Sequence, residues 1–141
     1  MSRRFLLIDD DPDDGLIFCE ALLEIDPTIA CDLEQEAKVA IAKIVDHIVQ
    51  PDLIFLDLNM PILDGWQVLR AIKSNPGSQS IPVVIYSTSP LDRDIARAKE
   101  FGASAYFSKP LDYIELRTNL GSIISAFDKG EFYKIPSDFQ Y

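Results

Sequence analysis

The chain has 141 residues, 48% of them hydrophobic, enough for one domain to bury its own core without disulfides or a structural metal. Its 23 acidic residues against 13 basic ones, a formal charge of -10, argue against a surface built to neutralise nucleic-acid phosphates, so direct DNA binding is not expected. No apolar run approaches the roughly 20 residues of a membrane helix, and the start Met1-Ser2-Arg3-Arg4-Phe5 leads into a short strand instead of a signal-peptide core. A soluble cytoplasmic protein is expected. Cys19 and Cys31 form no CxxC pattern and read as small buried apolar residues in a reducing compartment.

A short apolar run followed by a longer amphipathic stretch recurs along the chain, which is the pattern of alternating strands and helices. Phe5 to Ile8 is too short for a helix and is stopped by three aspartates, as a strand buried on both faces would be. Leu16, Ile17, Ala21, Leu22 and Ile25 then recur at helical spacing, with Asp13 or Asp14 to cap the start and Pro27 past the end. A second strand around Ile29 to Leu33 precedes a helix near Ala37 to Val49, which would include His47 as a solvated or packed residue. Leu53 to Leu56 is the third strand, ended by Asp57 and followed by a helix from about Gly65 to Lys73, near whose start Trp66 serves packing. Val83 to Tyr86 is the fourth, followed by a helix from about Leu91 to Phe101 and Gly102 at a left-handed cap. Ala105 to Phe107 is the fifth, and a last helix runs from about Asp112 to Ala126. Residues 1–126 thus read as one domain, and 127–141, with Phe127, Phe132, Tyr133, Phe139 and Tyr141, as a tail too short for an output domain. Five such units predict an α/β doubly wound parallel sheet with helices on both faces and a crevice at the strand ends.

The polar residues fall at those ends. Asp9, Asp10 and Asp11 close the first strand, Asp57 the third, Ser87 the fourth and Lys109 the fifth, so a parallel sheet brings them into one crevice. Two unit charges about 4 Å apart repel by roughly 4 kcal/mol at an effective dielectric near 20, so clustered aspartates need a cation. Magnesium, which takes oxygen ligands and shares sites with phosphate, fits; the absence of a His or Cys cluster disfavours zinc. A carboxylate beside such a metal can accept a phosphoryl group, and Asp57 is the expected nucleophile. Lys109 would neutralise charge on the transferred group, and Ser87 would donate a hydrogen bond to it. Which two of Asp9, Asp10 and Asp11 face the crevice depends on where the first strand ends. Asp13 and Asp14 read as first-turn helix charges.

The runs Leu7-Ile8-Asp9-Asp10-Asp11, Leu56-Asp57-Leu58-Asn59-Met60-Pro61 with Asp64-Gly65, Pro82 to Ser87, and Ser108-Lys109-Pro110 resemble those of response-regulator receiver domains over residues 4–126. The resemblance implies a flavodoxin-like five-stranded sheet in the order 2-1-3-4-5. It implies that Asp57 accepts a phosphoryl group from a phosphohistidine of a sensor histidine kinase or phosphotransfer protein. Asp10 would ligate magnesium, Asp9 would assist through water, and Asn59 would offer its backbone carbonyl. Ser87 and Tyr106 would be the switch pair, Tyr106 turning inward on phosphorylation, and Pro110 would follow a cis peptide bond. A downstream protein partner, or a second copy of the chain, would dock on the face of helix four, strand five and helix five. Thr88 stands where the family usually has a smaller residue. Two other functions compete. A haloacid-dehalogenase-type phosphatase uses the same residue types, but its nucleophile comes first in a DxD pattern, whereas Asp57-Leu58-Asn59 lacks the second aspartate. A flavin-binding module would need a phosphate-cradling glycine loop, which the chain lacks.

Overall fold

The aliphatic runs pair side by side as parallel strands in the computed structural model, which describes residues 3–60, 64–88 and 92–131. Strands β1 (Arg3–Ile8), β2 (Ile29–Glu34), β3 (Leu53–Leu56), β4 (Val83–Ser87) and β5 (Ala105–Ser108) alternate with helices α1 (Pro12–Ile25), α2 (Ala37–Val45), α3 (Gly65–Ser74), α4 (Asp92–Glu100) and α5 (Tyr113–Asp128). The sheet order is β2-β1-β3-β4-β5, the flavodoxin-like order. The chain leaves β1 to one side for β2 and returns to the other for β3, so the topological switch point lies between β1 and β3. The ends that carry Asp9, Asp10 and Asp57 flank that point.

Strand periodicity sorts the core into two layers. Leu6, Ile8, Ile54, Leu56, Val83, Ile85 and Tyr106 face α2, α3 and α4, meeting Ala40, Ile44, Val68, Leu69, Ile72 and Ala98. Phe5, Leu7, Leu53, Phe55, Val84, Tyr86 and Phe107 face α1 and α5, meeting Phe18, Leu22, Leu116, Leu120 and Ile123. Phe18 lies edge-on to Phe55 at 4.8 Å between centroids, so aromatic packing fixes α1 beneath the switch point. Trp66 packs as expected, edge-on to Phe101, with the Arg97 guanidinium 4.3 Å from its ring.

Several boundaries differ from the sequence reading. Asp11, not Asp13 or Asp14, caps α1: its carboxylate accepts from the N–H groups of Asp13 and Asp14 while Pro12 opens the first turn. Helix α2 stops at Val45 because His47 takes a left-handed backbone (φ 57°) and Ile48 donates back to the Lys43 carbonyl at 2.9 Å, a Schellman-type end. Helix α5 continues to Asp128, and Phe127 packs edge-on to Phe5, so the core extends past 126. The tail aromatics Phe132, Tyr133, Phe139 and Tyr141, together with Pro61 and Leu91, lie outside the described residues. The Lys109–Pro110 bond is trans, contrary to the cis bond the family resemblance implied. Trans is the lower isomer by about 0.5–1 kcal/mol, and the Lys109 N–H is already fixed to the Ser87 carbonyl at 2.8 Å.

Cys19 and Cys31 are not isolated apolar residues but a disulfide joining α1 to β2. The turn after α1 brings their Cα atoms to 5.8 Å, within bonding range, although no local motif marks the pair. Closing a loop over a sequence separation of 12 removes denatured-state entropy worth about 2–3 kcal/mol. Reduction should therefore lower unfolding stability by about that much in urea titrations, and a Cys19→Ser/Cys31→Ser variant should be equally destabilised and indifferent to reductant.

Candidate functional site

Each acidic residue reaches the crevice because its strand ends there. The Asp57 N–H pairs with the Ile8 carbonyl (2.9 Å) and the Asp9 N–H with the Glu34 carbonyl (3.0 Å), so both residues extend the ladder one step past their neighbours. The two are nearly inaccessible, 4% and 3% exposed, while Asp10 faces solvent. Carboxylate oxygens of Asp9, Asp10 and Asp57 come within 4.8 Å of one another, close enough to hold one cation. The structure thus brings Asp9 and Asp10 beside Asp57, whereas the Asp11 side chain caps α1.

Lys109 enters from the end of β5. Its ammonium bonds Asp9 at 2.8 Å and Asp14 at 3.0 Å, and lies 3.6 Å from Asp57. Burial alone would lower its pKa, but the hydrogen bonds to Asp9 and Asp14 and the charges of Asp57 and Asp9 outweigh that and raise it. The Tyr86 ring closes the other side, 5.2 Å from the ammonium. Asp57 is pushed up to about 6, chiefly by burial; the Asn59 N–H, which donates to its carboxylate at 3.1 Å, and Lys109 pull the other way.

Ser87 ends β4 fully buried, and the Asn59 side-chain amide donates to its Oγ at 3.4 Å. Tyr106, expected to turn inward on phosphorylation, is already inside: its ring is inaccessible, its hydroxyl makes no hydrogen bond, and burial raises the phenol's pKa while the neighbouring Ser87 opposes. Two residues contribute to the site without a role there being legible in the sequence. Asp14, read as a helix charge, is a direct partner of Lys109; its place in the third position of α1 aims it at the crevice. Gly65 opens α3 with its N–H on the Leu58 carbonyl, and a Cβ there would sit 2.4 Å from the Asp57 carbonyl oxygen. Only glycine lets α3 approach the Asp57 loop so closely. The Asp64-Gly65 pair in the sequence was the available signal, and the Asp64 capping box completes it.

Buried acids at strands one and three, a lysine at strand five and a hydroxyl at strand four, in that chain order, form the constellation that the sequence runs anticipated. The model of the response regulator receiver domain matches residues 5–121, most of the chain. The chain belongs to this family. PilG of Pseudomonas aeruginosa is 39% identical over 88 residues, 62% of this chain and 64% of that protein. The chain spans about half the length of other curated relatives that it matches. Among solved structures, the phosphorylated cyanobacterial phytochrome response regulator RcpA is 28% identical with a TM-score of 0.84, covering 92% of this chain and 96% of that one. The Mn(2+)-bound form of response regulator Rcp1 is 27% identical with a TM-score of 0.76, covering 94% and 96%. The chain is therefore a receiver domain of two-component response regulators, a signalling domain of a class that histidine kinases phosphorylate and that acts on downstream partners. The phosphatase reading has no support, and no described helix is long and apolar enough to cross a membrane.

The folded state holds the Asp57 proton more tightly than the unfolded chain, so metal-free stability falls as pH rises from about 4 through about 6. Asn at this position carries no such cost. In metal chelator, Asp57→Asn should exceed the wild type by about 2–3 kcal/mol at pH 7.5 and match it near pH 4, as read by urea unfolding.

Proposed function

We propose that Asp57 is the phosphoryl acceptor of this receiver and that Asp9, Asp10, Asn59, Ser87 and Lys109 assemble its reaction site. The supporting observation is the juxtaposition of one buried carboxylate with two acids and a lysine at the sheet's switch point. In the transfer, an Asp57 carboxylate oxygen forms a bond to phosphorus as the phosphorus–nitrogen bond of a phosphohistidine breaks. The bonding electrons leave with the imidazole nitrogen. Lys109 neutralises charge on the transferred group and the Ser87 hydroxyl donates to one of its oxygens. The same residues then govern hydrolysis of the aspartyl phosphate, so the domain's catalysis is directed at itself.

Three oxygen donors and no His or Cys suit a hard divalent cation, as does the manganese in the related Rcp1. Magnesium is the proposed ion, held by Asp10 and Asp57 with the Asn59 backbone carbonyl, and by Asp9 through water; when bound it supplies positive charge for the phosphoryl oxygens. Because the Tyr106 ring is already buried, phosphorylation would act by fixing the Ser87 hydroxyl on the phosphate and holding the ring inside. The reader of that state would be a downstream protein, or a second copy of the chain, on the face of α4, β5 and α5, with the phosphoacceptor unit running to the end of α5. The proposed donors are a histidine kinase or a histidine phosphotransfer protein, and the proposed location is the cytoplasm.

Incubation with acetyl phosphate and magnesium, followed by intact mass, tests the reading. One phosphoryl adduct on the wild type and none on Asp57→Asn is expected; an adduct that persists in Asp57→Asn would move the acceptor elsewhere.

A further inference from the structure

Lys109 has three N–H donors, and two are already spent, on Asp9 at 2.8 Å and on Asp14 at 3.0 Å. The Asp57 oxygen, at 3.6 Å, is outside hydrogen-bond range. We propose that Asp14 is a positioning residue: it parks Lys109 away from Asp57 in the unphosphorylated chain and releases it when the phosphoryl group arrives. This rests on the reading of Asp57 as acceptor.

The two acids that hold the lysine are unequal. The Asp9 side chain is wholly inaccessible, so losing Lys109 would strand a buried charge, whereas the Asp14 side chain is 38% exposed and can rehydrate. Asp14 also sits in the first turn of α1, its own N–H on the Asp11 carboxylate, where the helix dipole favours a negative charge without help from the lysine. A phosphoryl group on Asp57 carries about -1.5 to -2 charge and out-competes a half-hydrated carboxylate for the ammonium. Asp14 is therefore the partner that yields. Asp13 provides the control: it carries the same charge in the same turn, and no bond joins it to Lys109.

The test compares wild type, Asp14→Asn, Asp13→Asn and Asp14→Glu for phosphorylation by acetyl phosphate with magnesium and for subsequent loss of the phosphoryl group. Asp14→Asn should speed phosphorylation about two- to fivefold, the range of a partly exposed ion pair, with Asp13→Asn and Asp14→Glu near wild type. Hydrolysis of the aspartyl phosphate should be the same in wild type and Asp14→Asn, because the lysine has already moved. In metal-free protein, the Lys109 ammonium signal in nitrogen-15 spectra should broaden in Asp14→Asn and not in Asp13→Asn. Equal rates for Asp14→Asn and Asp13→Asn, a slower Asp14→Asn, or an unchanged ammonium signal would overturn the proposal while leaving the acceptor in place. A wild type that takes up no phosphoryl group would instead bring down the acceptor reading and this inference with it.

Discussion

One ammonium group among several carboxylates organises this molecule. Lys109 bonds Asp9 and Asp14 and approaches Asp57, and no second cation joins the cluster among the described residues. Two ionised carboxylates about 4 Å apart repel by roughly 4 kcal/mol at an effective dielectric near 20, so the lysine relieves the site without neutralising it. Burial first, with the nearby Asp9 charge adding to it, holds the Asp57 proton up to about 6. An incoming cation or phosphoryl group therefore meets a site that is poised electrostatically and kept from collapsing by the fold around it.

That fold holds the charges together through ordinary packing. Alternate side chains of each strand enter opposite apolar layers, which leaves the strand ends as the places where polar residues can stand. The crossover from β2 to β3 opens the crevice between β1 and β3, the Asp11 cap orients α1 so that Asp14 faces inward, and Gly65 lets α3 close against the Asp57 loop. The Tyr106 ring fills the space beneath Ser87 on the α4 side, so the hydroxyl at the site and the surface around α4 share one packed contact region.

The strands were legible because Phe5 to Ile8 and Leu53 to Leu56 are unbroken apolar runs ended by aspartate, a pattern that a buried parallel strand produces and a surface helix does not. The convergence of Asp9, Asp10, Asp57, Ser87 and Lys109 followed from that placement. Features that depend on contacts distant in sequence were not legible. The Cys19–Cys31 bond spans a helix end and a turn, the Asp14–Lys109 pair is separated by most of the chain, and the inward Tyr106 ring reflects packing in a layer that no single run encodes. His47 was misplaced because Ile48 continues the helical spacing, whereas the chain's path turns back at a left-handed residue. The cis bond before Pro110 is implied by the family resemblance alone, and the local backbone keeps the trans form.

Calorimetric titration of metal-free protein with magnesium at neutral pH addresses the charge imbalance directly. A single saturable site, weakened at least about tenfold in Asp10→Asn, is the result expected if the carboxylate cluster is built to hold a divalent cation. Absence of binding at millimolar magnesium, or binding unchanged in Asp10→Asn, would contradict it.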